Sequence, residues 1–153
     1  MNVSNFSMCD GFGSASAKDI VDLLHVDDAA SEVVFDDPAE DEIRTWEGDL
    51  FLTAWENDRF AGFGRARKDG WVTHVFVRPE YRLQGLGTRI LSKLEARLRV
   101  RGKRTALLSA EPNAVEFFRA NGWNSVEPID VLAKEPLEGR RLLLIPMRKT
   151  ISE

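Results

Sequence analysis

The run Arg82-Leu83-Gln84-Gly85-Leu86-Gly87-Thr88 joins a strand-like segment, Trp71–Val77, to a long helix-like segment, Leu86–Val100. A glycine-rich turn opening a helix can hold an anion. Glycine lets main-chain N–H groups approach an oxygen closely. The first N–H groups of the helix have no internal acceptor, and the helix dipole favours negative charge there. Arg82 adds a fork of donors beside them. The chemistry these residues suit is the grip of a phosphate.

The turn is positioned by the elements around it. Asn57-Asp58 and Asp69-Gly70 are hairpin signals between apolar runs, so Leu50–Trp55, Arg59–Ala66 and Trp71–Val77 form an antiparallel meander. The helix after Gly85 carries Leu86, Ile90, Leu91, Leu94 and Leu98 on one face, and Gly102 stops it. Arg104–Ser109 is a further strand. Pro112 and a capping-box spacing at Asn113–Glu116 open another helix, closed by Asn121-Gly122. Trp123–Ile129 and Arg141–Met147 read as two last strands. Upstream, Val3–Met8 is a candidate first strand, Ser16–Leu24 a short helix and Ala39–Trp46 a second. The order is β-α-α-β-β-β-α-β-α-β-β. Residues 1–15 form a poorly placed N-terminal segment, and residues 16–153 form a single domain.

At 153 residues, 43% hydrophobic and 30% charged, the chain suits one soluble domain with a sizeable core. The single cysteine, Cys9, excludes an internal disulfide and fits a reducing compartment. No signal-peptide pattern and no apolar run of spanning length is present, so a cytoplasmic location and no membrane contact are expected. Charge is uneven. Asp27–Asp49 holds ten acids and one base, Arg44, for a net −9, whereas Arg78–Arg104 holds nine bases and two acids, for a net +7. The basic region suits an anionic ligand and the acidic one a cationic ligand, although either also suits a solvated surface. Binding of nucleic acid is not expected, because no stacking aromatics or recognition motif accompany the basic residues.

The series Val77-Arg78-Pro79-Glu80-Tyr81-Arg82-Leu83-Gln84-Gly85-Leu86-Gly87, a long helix, a strand, then Asn113-x-x-x-Phe117-Phe118-x-x-x-Gly122-Trp123 resembles the GNAT acetyltransferase superfamily. Its acetyl-CoA signature is Arg/Gln-x-x-Gly-x-Gly/Ala after the fourth strand, and a later helix reads Phe-Tyr followed by Gly-Phe. The resemblance covers Leu50 to Lys149 well. It implies an α/β (α+β) fold with a central mixed, mostly antiparallel sheet of six to seven strands flanked by about four helices.

The resemblance also implies a site. Acetyl-CoA would be the acyl donor, with no metal. Its pyrophosphate would sit on the backbone of Leu83, Gln84, Gly85, Leu86, Gly87 and Thr88, with Arg82 near the phosphates. The pantetheine would lie along the fourth strand at Phe76 and Val77, with Asn113 and Phe118 contacting it from the following helix; Asn113 reads equally as a helix cap. A primary amine would take the acetyl group directly. His74 and Glu111 are the candidates for proton removal, with Glu47 and Glu56 behind them; a packed strand histidine is the other reading of His74, and His25 reads as an ordinary helix-end residue. Family members often carry a tyrosine acid where this chain has Phe118, which cannot donate a proton. A thiolate leaves without that help, so loss of the acid slows transfer without abolishing it. The acidic stretch points to a cationic acceptor. An acetyl-CoA-binding module that regulates a partner protein is the alternative that Phe118 keeps open. Family members often dimerise, and Trp123 with the last strands could supply a homodimer interface.

Overall fold

The computed structural model describes residues 6–26, 40–46, 49–126 and 144–152. The elements are β1 (Phe6–Asp10), α1 (Ala17–Val26), α2 (Glu40–Thr45), β2 (Leu50–Glu56), β3 (Arg59–Ala66), β4 (Val72–Val77), α3 (Leu86–Val100), β5 (Thr105–Ala110), α4 (Val115–Ala120), β6 (Asn124–Ser125) and β7 (Ile145–Thr150), with 3-10 turns at Pro79–Tyr81 and Pro112–Ala114. The long amphipathic helix falls where its leucine spacing places it. The first and last strands lie three residues or so later than the sequence suggests, and β6 is only two residues long within the described part of Trp123–Ile129. The rest of that run lies outside the described residues.

The strands form two hydrogen-bonded sheets, ordered β1-β2-β3-β4 and β5-β7-β6. Every ladder is antiparallel. The sheets meet at a parallel bridge between Trp71 and Leu107, where the Leu107 N–H donates to the Gly70 carbonyl at 2.9 Å. Past this point β4 has β3 on one side and no partner strand on the other among the described residues. The mixed sheet is therefore opened between β4 and β5.

Strand alternation sorts the side chains into two cores. Leu50, Leu52 and Ala54 of β2 pack with Leu86, Ile90, Leu91, Leu94 and Leu98 of α3. Phe51 points the other way, to Phe12, Ile20, Leu23, Ile43, Trp46 and Phe63, beneath α1 and α2. Both faces of β2 are covered, which is why its sequence is an almost unbroken apolar run. β1 is an edge strand, and Phe12 beyond it is 7% exposed, so part of the segment that sequence leaves unplaced contributes to the core. On the second sheet, Glu95 of α3 is 4% exposed. It accepts from Trp123 Nε1 at 3.0 Å and Lys149 Nζ at 2.8 Å. Lys149 also donates to the Asn121 carbonyl at 2.9 Å, tying α3, the end of α4 and β7 together. Trp123 is thus a core residue at 1% exposure, and the expectation that it forms a dimer surface is corrected. Its indole is held inward by a carboxylate that sequence pattern does not reveal.

Candidate functional site

The opening between the sheets is a cleft of about 180 Å³ lined by Val75, Phe76, Val77, Arg82, Gly87 and Phe117. Its wall is β4. Arg78 N donates to the Ala61 carbonyl at 2.8 Å, and β3 pairs Phe63 with Phe76 and Arg65 with His74. Main-chain direction alternates along a strand. His74 and Phe76 therefore spend their N–H and C=O on β3, while Val75 and Val77 turn theirs into the opening. The side chains divide in the opposite sense: Val75 and Val77 pack with the α3 core, and Phe76 with the α1–α2 core. Of the two main-chain positions expected from sequence, Val77 turns its main-chain groups to the cleft, whereas those of Phe76, which also lines it, are spent on β3.

The turn builds one end of the cleft. Arg82 is extended, Leu83 has φ 63° and Gly85 has φ 80°. The left-handed angle at Gly85 lets the chain enter α3 with its first amides aimed outward, and any side chain there would be strained. Arg89 N reaches back to Gly85 O at 3.1 Å, which leaves the N–H groups of Leu86, Gly87 and Thr88 without acceptors inside the helix. Arg82 Nε donates to the Val77 carbonyl at 3.0 Å, which fixes the guanidinium beside the exposed edge of β4. A Cβ on Gly87 would stand 3.3 Å from the Phe117 ring, so the helix is kept bare where it borders the cleft. Leu86 is buried and anchors the turn, whereas the Leu83 side chain stands in solvent. Gln84 and Thr88 are exposed beside it.

The later helix contributes differently from the sequence expectation. Phe117 lines the cleft. Phe118 is partly buried and meets Phe117 and Trp123 edge-on, with centroids 5.0 and 6.1 Å away. Phe117 belongs to the same Phe-Phe pair, but only the helix rotation tells which ring fronts the opening. Asn113 lies exposed in the 3-10 turn before α4, whose N-cap residue is Ala114. Glu111 is partly buried at the end of β5. Glu56 ends β2, away from the cleft lining. Glu47 and the His25 side chain lie outside the described residues.

His74 stands on β4 one residue from the cleft-facing Val75. Its Nδ1 is 2.9 Å from Thr73 Oγ1, and that hydroxyl donates to the Arg65 carbonyl at 3.2 Å. The ring lies among Trp46, Phe63 and Phe76, at centroid distances of 4.7, 5.8 and 5.8 Å. Burial, and secondarily the Arg65 guanidinium, lower its pKa to about 4. Neutral at pH 7, it has little drive to take a proton from an ammonium.

Of the acidic stretch, Glu40 and Asp41 pair with Arg44 at 3.4 and 2.7 Å on the surface of α2. Asp49 binds Arg65 at 2.8 Å. Asp27, Asp28, Glu32, Asp36, Asp37 and Glu47 lie outside the described residues. Among the described residues no group of three or more metal-ligating side chains is found, and no helix is long and apolar enough to cross a membrane.

A family model described as acetyltransferase (GNAT) domain matches residues 16–151. The chain is similar to an uncharacterized N-acetyltransferase ycf52-like protein of Prochlorococcus marinus. The two are 29% identical over 87 residues, 52% of this chain and 48% of the relative, so the match spans about half of that protein's length. Among solved structures it is similar to a GNAT superfamily phosphinothricin acetyltransferase of Sinorhizobium meliloti in complex with acetyl-CoA. The TM-score is 0.76 at 20% identity, over 97% of this chain and 89% of the other. It is also similar to the ribosomal-protein-S18-alanine N-acetyltransferase of Escherichia coli, with a TM-score of 0.68 at 20% identity, over 97% and 95% of the two chains. These identities establish likeness of fold. With the domain model spanning nearly the whole chain, they place it plainly: it belongs to the GNAT acetyltransferase domain family.

Proposed function

We propose that this protein is an N-acetyltransferase that moves the acetyl group of acetyl-CoA directly to a primary amine. The observation that carries the reading is the opening beside β4, where Val75 and Val77 present main-chain groups next to Arg82 and the N-terminus of α3. The residues fit the donor on structural grounds. The outward amides of Leu86, Gly87 and Thr88 and the guanidinium of Arg82 suit phosphate oxygens. The free edge of β4 suits an amide-containing arm laid alongside it as an added strand. The bare Cα of Gly87, facing Phe117, leaves passage between them.

The donor supplies an activated acetyl thioester when bound. The chain's own part is to align and polarise. A cleft-side N–H of β4 donates to the thioester carbonyl oxygen, favouring attack by the amine lone pair. The new C–N bond forms as the C–S bond breaks; the nitrogen gives up a proton and the sulfur departs as thiolate. Glu111, at the end of β5, is the proposed proton acceptor, assisted by water, because the partly buried imidazole of His74, its pKa lowered to about 4, is a weak base. Phe118 offers no proton to the thiolate, so solvent protonates it. Asn113, at the mouth of α4, is the proposed polar contact for the arm.

The finer proposal for the acceptor is a cation, motivated by the net charge of −9 over Asp27–Asp49. Thiol release from acetyl-CoA is measured with spermidine, lysine, glucosamine and a neutral monoamine. Faster release with the multiply charged amines is the expected result. Equal rates for the neutral amine sink the cationic acceptor, and tight donor binding with no release for any amine favours a regulatory acetyl-CoA-binding module, the role Phe118 would also suit.

A further inference from the structure

The cleft has two flanks. Gly87 of α3 and Phe117 of α4 stand on one. On the other, β4 turns His74 and Phe76 towards the α1–α2 core. A donor held along β4 and the α3 N-terminus leaves the α2 flank for the amine. We propose that His74 is a positioning residue for the amine acceptor: its flat ring is the platform against which Trp46 fixes the end of α2 beside the cleft wall. The inference rests on the acetyltransferase reading above and deepens it.

The geometry is specific. α2 has six residues, and its buried anchors are Ile43, 0% exposed, and the following Trp46, 5% exposed. Trp46 touches two cross-strand partners of the meander. The His74 ring lies 4.7 Å from it at 34°, and the Arg65 guanidinium stands over it at 4.5 Å. Asp49 holds that guanidinium through Nε at 2.9 Å and Nη2 at 2.8 Å. Thr73 holds the imidazole at Nδ1. The imidazole and the guanidinium against Trp46 are therefore each fixed by a further bond. The same His74 ring meets Phe76, which lines the cleft. A shift of α2 is thus passed to a residue that lines the cleft. Nothing in this arrangement uses a proton on Nε2; it uses the shape and face of the ring.

Two substitutions separate shape from proton chemistry. His74→Phe keeps a flat ring and cannot take a proton. His74→Leu keeps comparable bulk without a flat face. Steady-state kinetics are measured with acetyl-CoA and whichever of spermidine, lysine or glucosamine the wild type acetylates. For His74→Phe, kcat and both KM values should stay within about threefold of wild type. For His74→Leu, the acceptor KM should rise roughly three- to tenfold, the worth of one aromatic pair, with the acetyl-CoA KM unchanged. The unchanged donor KM reports an intact fold. A fall in kcat of about a hundredfold in His74→Phe at unaltered KM would make His74 the base and overturn the proposal. So would His74→Leu with a wild-type acceptor KM. Absence of transfer by the wild-type protein to every amine takes down the acetyltransferase reading itself, and this inference with it, whereas wild-type transfer with either of those variant results removes the inference alone.

Discussion

The imidazole of His74 should make this protein lose stability on mild acidification, before its carboxylates titrate. Burial among Trp46, Phe63 and Phe76, with Arg65 adding to it, lowers the folded pKa to about 4 from the ordinary value of 6.5. The folded state therefore binds fewer protons than the unfolded state between those values. Above pH 6.5 neither form is protonated and the contribution is whole. As pH falls below 6.5 the unfolded imidazole takes a proton that the folded one refuses, and stability drains away. Only as pH falls through about 4 does the folded imidazole bind it too, and the loss is complete below that. A displacement of that size corresponds to about 3 kcal/mol in total, of which about 2 kcal/mol is gone by about pH 5. Urea unfolding of the wild type and of His74→Phe, followed by tryptophan fluorescence from about pH 7 to about pH 4.5, isolates the group, because shared carboxylates cancel in the difference. The wild type should be the steeper by up to about 1.4 kcal/mol per pH unit. Parallel curves would show that the folded imidazole protonates without penalty. That would refute both its burial and the packing against Trp46 from which the burial follows.

Two further perturbations test other parts of the structure. Glu95→Ala removes the acceptor of Trp123 Nε1 and leaves the Lys149 ammonium, 27% exposed, without its carboxylate; a loss of roughly 3 kcal/mol, or about 6–12 °C in Tm, is expected by thermal denaturation, and the double variant Glu95→Leu with Lys149→Met should recover much of it. Arg82→Ala removes the guanidinium tethered to the Val77 carbonyl; donor affinity by calorimetry should fall about tenfold or more, with the deficit shrinking at high salt and the acceptor KM unaffected.

What is legible in the sequence is whatever local spacing controls. The leucine period of α3, the Asn57-Asp58 and Asp69-Gly70 turns and the glycine at the start of α3 each depend on a few neighbouring residues, and each falls where the pattern places it. The parts of the site that are not legible depend on registers between distant segments. Val75 and Phe117 line the cleft because β4 turns alternate main-chain groups away from β3 and because α4 presents one of two adjacent phenylalanines. A Phe-Phe pair looks the same in sequence whichever ring faces the opening. Trp123 reads as a surface aromatic because its partner, Glu95, lies 28 residues earlier on a helix whose charged residues mostly face water.

His74 shows how the two kinds of information combine. Residue type and strand position suggest a base near the reacting centre, and the side chain does stand one residue from a main-chain edge of the cleft. Its surroundings decide the role. A base near neutrality needs water or a carboxylate to welcome the imidazolium, yet the ring packs against three aromatic side chains and has the Arg65 guanidinium as the charge that acts on it. Its Nδ1 is committed to Thr73 Oγ1. These contacts stabilise a neutral, oriented ring and penalise a charged one. The features that weaken it as a base strengthen it as a support for α2.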